Sequence, residues 1–531
     1  MLTTRFSGPR RSYSIPLAAV AFCLLVLYLA LSSKSNLHKV DGWLKASSTE
    51  SVENHPPPNH DTNSKFYKWT TQTSFTPAHR NDTDTATVEE LCVSFPHHLL
   101  DEIQPVLKTG HGVLDARVKP HLHSVSACLS NLLIFSDLQE EYEGHQVIDV
   151  INEISPDLLH SDLQLDNYHL LQELAANGSL ATFDQKELHP WKLDKFKFLP
   201  GVSTAWRMRP EKRWYVFYEA DSYIVWDNLF RLLEHFDADT PLYFGSPSPG
   251  RKWFANGGPG FVVSRGAMRK LVENDWDKKT GEYLGSKLTE NLWKDDLLGN
   301  CCGDSSLGWA LYKVGVEVSG LWPMFQPHPL HGVPLSDLYW CQPVLTMHKP
   351  HVDDMTGLWR WEESRRDPTV SMETTSIHEK HANIYKRPLI FRDLADYLNI
   401  TAVAFRPDWD NAAWDGYPAP SKGPDDSDPH SSTEACGKSC EHSSSCFQWT
   451  YHLQRCTFVR SFRLGTQKEP EGEKPKKHKV DGVEVEEPVK QWSLEDQRFM
   501  AGWDVEGIRK WMDERPCEEV EWVKPSVERI F

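Results

Sequence analysis

The sequence is short of positive charge. Its 57 lysines and arginines face 75 aspartates and glutamates, a formal net charge of −18, which argues against nucleic acid or an anionic lipid surface as principal partner. Long apolar runs are also scarce. There is one, near the N-terminus, so a multi-span membrane protein is excluded. No repeat occurs at solenoid or propeller periods. Cysteine is sparse, 11 in 531 residues, and no pair has the C-x-x-C spacing of a zinc ribbon. With 39% hydrophobic and 25% charged residues, the chain is not globally disordered. At roughly 150 residues per domain its length suggests about three to four units.

The apolar run is the first positive signal. Between Arg11 and Lys34 lie 22 uncharged residues, with an apolar core from Ile15 to Leu31; as a helix they would reach about 33 Å, enough for a hydrocarbon layer of roughly 30 Å. A cleaved signal peptide is the competing reading, but its apolar region usually has about 7–15 residues. We therefore expect a cytosolic tail over 1–14, a single membrane anchor over 15–33 and a stem over 34–89. Ten cysteines and three sequons (at Asn81, Asn177 and Asn399) follow Cys23, which suits an oxidising lumen. The expected placement is a single-pass type II protein of the Golgi or ER membrane with its large part lumenal.

From about 90 to 355 short apolar runs alternate with helical patterns, as in an α/β layer domain. Leu132–Phe135, Trp214–Tyr218 and Phe261–Val263 read as buried strands. Ser264 is a candidate N-cap for a helix whose stripe is Ala267, Met268, Leu271 and Val272. Residues 356–430 read as an extension and linker, rich in breakers near 415–434. In 431–531, Cys436, Cys440, Cys446 and Cys456 crowd together and suit disulfides better than zinc; a nested pairing is one arrangement the spacing leaves open.

The richest segment is Trp214-Tyr-Val-Phe-Tyr-Glu219-Ala220-Asp221-Ser222-Tyr223. A buried strand closing in two acids puts charge at its carboxyl end, where open α/β sheets bind ligands. Glu219 and Asp221 are two apart, so on an extended chain they share a side. Two hard oxygen donors there suit Mg²⁺ or Mn²⁺ held together with phosphates.

This segment resembles the Asp-x-Asp region of the fringe-like and core-1 β1,3-galactosyltransferase-like glycosyltransferases, above all their fungal branch. The run Trp191–Pro200 and the glycine-rich turn Phe254-Ala-Asn-Gly257-Gly258-Pro-Gly-Phe261 are similar to that family too, and the likeness spans about residues 105–355. It implies an α/β fold of GT-A (Rossmann-like) type over 90–355. It also implies a UDP-sugar donor, Mn²⁺ as cofactor, a glycan or glycoprotein acceptor, and β1,3 transfer of a hexose with inversion, galactose first. Asp221 would bind the metal. Glu219 stands where most members carry Asp, so its role (ribose or a metal-bound water) stays open. Cys301–Trp309 resembles the stretch that provides the catalytic base, which makes Asp304 the candidate, although its local pattern is that of an N-cap. Val344–Pro350 resembles the segment whose histidine, here His348, completes the metal site. Thr109, Arg117 and Asp137 occupy family-like positions for nucleotide contacts, and Lys195 or Lys197 would reach the diphosphate. Residues 431–531 resemble a small disulfide-rich α+β module of PAN/apple type. Two rivals stand beside this reading. A glycoside hydrolase would use two carboxyl groups about 5–9.5 Å apart and no metal; a membrane-anchored glycan-binding protein would have no catalysis.

Overall fold

The computed structural model describes residues 64–69, 85–160, 162–366, 387–412, 415–423, 426–475, 477–480, 483–486 and 489–528, all within the compact unit from His60 to Phe531. The main sheet has eight strands. In chain order they are β1 (Ile103–Lys108), β2 (Leu133–Ser136), β3 (Glu140–Tyr142), β4 (His145–Asp149) and, past helix α1 (Phe198–Met208), β5 (Trp214–Glu219). A short strand of another sheet, β6 (Ser222–Ile224), then leads into helix α2 (Trp226–Leu233). The main sheet resumes with β7 (Tyr243–Gly245) and β8 (Phe261–Ser264), helices α3 (Arg265–Val272) and α4 (Gly303–Lys313) follow, and β9 (Ser319–Gly320) completes it. The spatial order is β9-β7-β8-β5-β1-β2-β4-β3.

Strands β1, β2, β4 and β5 run parallel, and β1, β2 and β5 are mostly apolar and buried because both faces are covered. Strand β8 lies antiparallel between β5 and β7. A parallel insertion needs a crossover, usually helical, and here the chain between β7 and β8 folds into a small hairpin, Pro247–Ser248 against Phe254–Ala255. Ser264 caps α3 by accepting the Ala267 N–H at 3.2 Å, and the stripe Ala267, Met268, Leu271, Val272 is buried, as the sequence pattern suggests.

A second sheet positions the site. It joins β10 (Phe325–Gln326), β11 (Thr346–His348) and β6 in the order β10-β11-β6, with His348 opposite Ser222 and Met347 opposite Tyr223. Helix α5 (Val352–Ser364) anchors this sheet: the Tyr223 hydroxyl donates to Glu362 Oε2 at 2.8 Å. Burial, reinforced by Asp227 and Glu363, pushes Glu362 up to about 8 from its ordinary 4.5. Between those values the folded chain keeps a proton that the unfolded chain has lost, so this group makes stability fall as pH rises through that window. Glu362→Gln is expected to flatten the decline. Melting curves between about pH 5 and pH 9 check it, and an unchanged slope would assign the decline to other groups.

The C-terminal part forms a five-stranded sheet, β12 (Phe405–Pro407), β13 (Tyr417–Pro418), β14 (Gln448–His452), β15 (Arg455–Val459) and β16 (Met500–Trp503), in the order β12-β16-β14-β15-β13 with helix α6 (Thr433–Glu441). Within the breaker-rich stretch, Tyr417–Pro418 serves as an edge strand, where a proline loses no ladder bond.

The fold class expected from the sequence is corrected. A Rossmann-like half was expected, with a membrane helix before it and a separate disulfide-rich module after it. The main sheet and the three-stranded sheet are instead mixed, and the disulfides are spread along the chain: Cys92–Cys128, Cys301–Cys302, Cys341–Cys517, Cys436–Cys456 and Cys440–Cys446. One hydrophobic core runs from Leu91 through Trp340 to Trp511 and Val523. It is closed by Phe66–Tyr67 pairing with Trp522–Val523, so apolar faces of early and late segments bury each other. Among the described residues no helix is long and apolar enough to cross a membrane; the tail and anchor expected over 1–33 lie outside the described residues.

Candidate metal and sugar-nucleotide site

The site grows from the register of β1 and β5. That pairing sets Lys108 beside Glu219, and the ammonium bonds Glu219 Oε1 at 3.1 Å and also grips Asp194. Burial pulls the lysine down, but Asp194 and Glu219 outweigh it and hold the ammonium well above the usual lysine range. Burial pushes Glu219 up, with Lys108 opposing.

The chain does not stay extended past Glu219. It turns at Ala220–Asp221 and re-enters as β6. Ser222 holds this turn: its hydroxyl accepts the Glu219 N–H at 3.1 Å and donates to the Gly258 carbonyl at 2.6 Å. From below, His121 Nε2–H donates to the Ser222 carbonyl at 2.8 Å, and burial keeps that imidazole neutral by lowering it to about 4. The turn and the β6–β11 pairing then carry Asp221 to His348, and the Lys349 N–H donates to the Asp221 carbonyl at 2.7 Å.

Glu219, Asp221 and His348 each offer one donor atom, all within 4.8 Å of one another. Asp221 is 9% exposed. Its Oδ2 accepts from Arg117 at 2.8 Å, and its Oδ1 is buried without a hydrogen bond, 3.7 Å from His348 Nε2. Burial holds His348 down, which favours the neutral, ligating imidazole. Two carboxylates and an imidazole around a buried oxygen that nothing satisfies make a donor set that fits Mn²⁺.

Gly258 packs against the imidazole. A Cβ there would lie 2.3 Å from His348 Cε1 and 2.5 Å from both ring nitrogens. Gly258→Ala is therefore expected to displace the ring and weaken Mn²⁺ binding by about 10–100-fold, measured by titrating the metal against thermal stability; equal affinity would exclude His348 as a ligand.

The same turn reaches Asp304. Gly257 N–H donates to Asp304 Oδ2 at 2.8 Å, and Ser305 N–H to Oδ1 at 2.8 Å. Asp304 is not the N-cap its local pattern suggests. Helix α4 begins at Gly303 with Cys302 in the capping position, lacking a side-chain bond, and Asp304 instead crosses from the first turn to the glycine loop. Burial pushes its carboxyl up, against the two N–H bonds.

Thr109 and Asp137 gather around Lys197 instead of the acids. Lys197 Nζ donates to the Thr109 carbonyl at 2.7 Å and pairs with Asp137 Oδ2 at 2.8 Å; the pair is almost wholly buried. Lys197 and Lys108 both line the pocket bounded by Phe135, Phe198, Glu219 and Gly257. Arg117, expected at the nucleotide, is bonded to Asp221 here. Lys195 is not brought to this group at all: its ammonium donates to the carbonyls of Leu297, Leu298 and Asn300. Sequence reasoning missed Lys108 as the shared partner of Glu219 and Asp194. Lys108 and Asp194 both lie inside stretches already singled out, but pairing 86 residues apart leaves no local signal.

Strand β5, the turn, the glycine loop and α4 coincide with a family match. Residues 201–319 match the Fringe-like family. This stretch is Fringe-like. It contains Glu219, Asp221, Gly257, Gly258 and Asp304, and His348 joins from outside it. The chain is 33% identical over 93 residues (17% of this chain, 24% of the relative) to the Xenopus laevis protein named glycoprotein-N-acetylgalactosamine 3-beta-galactosyltransferase 1. It is 27% identical over 146 residues (24% of this chain, 36% of the relative) to Xenopus laevis beta-1,3-N-acetylglucosaminyltransferase lunatic fringe. The chain thus spans about a quarter to a third of the length of these relatives. The Fringe-like stretch supplies two of the three candidate metal donors and the Asp304 carboxylate.

Proposed function

We propose that the protein is a metal-dependent glycosyltransferase that moves a hexose from a UDP-sugar to a glycan hydroxyl with inversion, forming a β1,3 bond, with galactose the first donor to test. One observation carries this reading: Glu219, Asp221 and His348 converge on the orphaned Asp221 Oδ1 at the end of a buried strand in the Fringe-like stretch. Asp221 and His348, with Glu219 beside them, would hold Mn²⁺. That ion supplies charge compensation for a departing diphosphate.

The remaining chemistry falls to the chain's own groups. Asp304, fixed through the Gly257 N–H, takes the proton of the acceptor hydroxyl, and burial, by raising its pKa, strengthens it as a base. Lys108 places a buried positive charge on the pocket wall beside Glu219. Arg117 orients Asp221. Phe135, Phe198 and Phe217 keep water from the pocket floor.

The C-terminal sheet would serve glycan or protein binding. Pairing of all ten cysteines after Cys23 supports residence in an oxidising lumen such as the Golgi. The decisive experiment is UDP release by the purified protein from UDP-galactose, UDP-glucose and UDP-N-acetylglucosamine, with Mn²⁺ or with EDTA. Release that needs the metal supports the reading; sugar hydrolysis that survives chelation would replace it with the hydrolase.

A further inference from the structure

Lys195 was expected at the diphosphate, and its surroundings assign it other work. It is 9% exposed, and its three N–H donors are used on three carbonyls: Leu297 at 2.9 Å, Leu298 at 3.2 Å and Asn300 at 3.0 Å. Those carbonyls close the helical turn Trp293–Leu297, the end of a helix that favours a cation. The chain that leaves them arrives four residues later at Asp304.

Four further contacts stiffen the chain between Asn300 and Asp304. Cys301 and Cys302 are adjacent and joined by a disulfide, a closure that restricts the backbone immediately before α4. The Cys302 N–H donates to Asn300 Oδ1 at 3.3 Å, and its carbonyl accepts from Ser306 at 3.3 Å. Gly303 is pressed onto the Lys195 segment: a Cβ there would lie 2.3 Å from the Phe198 ring and 2.7 Å from the Lys195 carbonyl oxygen. Lys195 thus holds this loop with its side chain from one side and with its backbone from the other.

We propose that Lys195, together with the Cys301–Cys302 closure, is a positioning element that aims Asp304 at the acceptor hydroxyl without touching donor, metal or acceptor. The proposal rests on Asp304 acting as the base. Methionine at 195 keeps the stem but takes the ammonium donor from the Leu297 and Asn300 carbonyls and leaves Leu298 only the longer Gln164 bond at 3.4 Å, so the loop relaxes and the carboxylate drifts. A misplacement of about 1 Å at a reacting group costs on the order of 100-fold in rate.

The test compares full-length wild type with Lys195→Met and with the double variant Cys301→Ser/Cys302→Ser. For each, UDP release is measured at saturating UDP-sugar and a fixed amount of an N-acetylgalactosaminyl glycoside as acceptor, with UDP affinity in the presence of Mn²⁺ and hydrogen exchange of the 298–303 amides. The expected result for Lys195→Met is a kcat lower by about 10–100-fold. Donor KM and UDP affinity stay within about twofold, and loop exchange is faster. The double variant should show the same split with a smaller loss, and it decides the matter should Lys195→Met not fold. An unchanged kcat overturns the proposal, and so does a loss of UDP affinity that parallels the loss of kcat, which would return Lys195 to the diphosphate. Wild type that releases no UDP from any donor overturns the transferase reading itself, a result separate from either of these.

Discussion

Replacing Asp221 by Asn is expected to lower metal-dependent UDP release by about 10²–10³-fold, the scale seen when one electrostatic contact to a developing charge is lost. The substitution is nearly isosteric. Asn keeps an oxygen and loses the charge that balances Arg117 and any bound dication. Burial sharpens the effect, because a site 9% exposed gives little solvent screening to replace the lost carboxylate. The fold should survive, since the Asp221 backbone carbonyl still accepts from Lys349 and Ser222 still spans the turn. The clearest readout is thermal. Mn²⁺ at about 100 times its dissociation constant stabilises a binding protein by about 2.7 kcal/mol, and this shift should vanish in the variant. An Asp221→Asn protein that releases UDP at the wild-type rate would refute the metal site and the proposed reaction with it.

Asp304→Asn is the second large effect, and its signature differs. Asn can still accept the Gly257 N–H, so the glycine loop and α4 should hold their places, and affinity for UDP with Mn²⁺ should stay unchanged. What disappears is the group that takes the acceptor proton, worth about 10²–10⁴ in kcat. The pH profile separates base from scaffold. In wild type the rate should rise with pH as Asp304 ionises, and burial moves that limb above the ordinary aspartate range. In the variant that limb should be gone. A variant with reduced kcat but an unaltered acid limb would assign the base to another carboxylate, with Glu219 next in line.

Much of the main sheet was legible in the sequence. Leu133–Ser136, Trp214–Glu219 and Phe261–Ser264 are strands because continuous apolar β-branched and aromatic runs are at home only between two covered layers. The Ser264 cap and the stripe behind it were legible for the same local reason. Of the site, the acids at the strand end and the glycine-rich turn stand out by residue type. Their geometry does not. An extended chain would put Glu219 and Asp221 on one side, whereas the structure bends at Ala220–Asp221 and converges the two carboxylates through the Ser222 hydroxyl. Asp304 reads locally as a helix cap and becomes a bridge to Gly257 only when α4 packs beside the glycine loop. Lys195 and Lys197 are indistinguishable in sequence, both single positive charges on a short helical turn. One pairs with Asp137 and the other closes a loop of carbonyls.

By itself, then, the sequence determined which segments become buried strands, where acids cap one of them, and that no surplus of basic charge draws the chain to nucleic acid. These are properties of neighbours along the chain: apolar period, capping residues and turn formers. Tertiary structure alone decided that Arg117 bonds Asp221, that Lys108 is shared between Glu219 and Asp194, and that late segments share a core with early ones. Those contacts join residues 100 or more positions apart in most cases, as between Arg117 and Asp221, and strand pairing and burial select them from many partners of equal local merit.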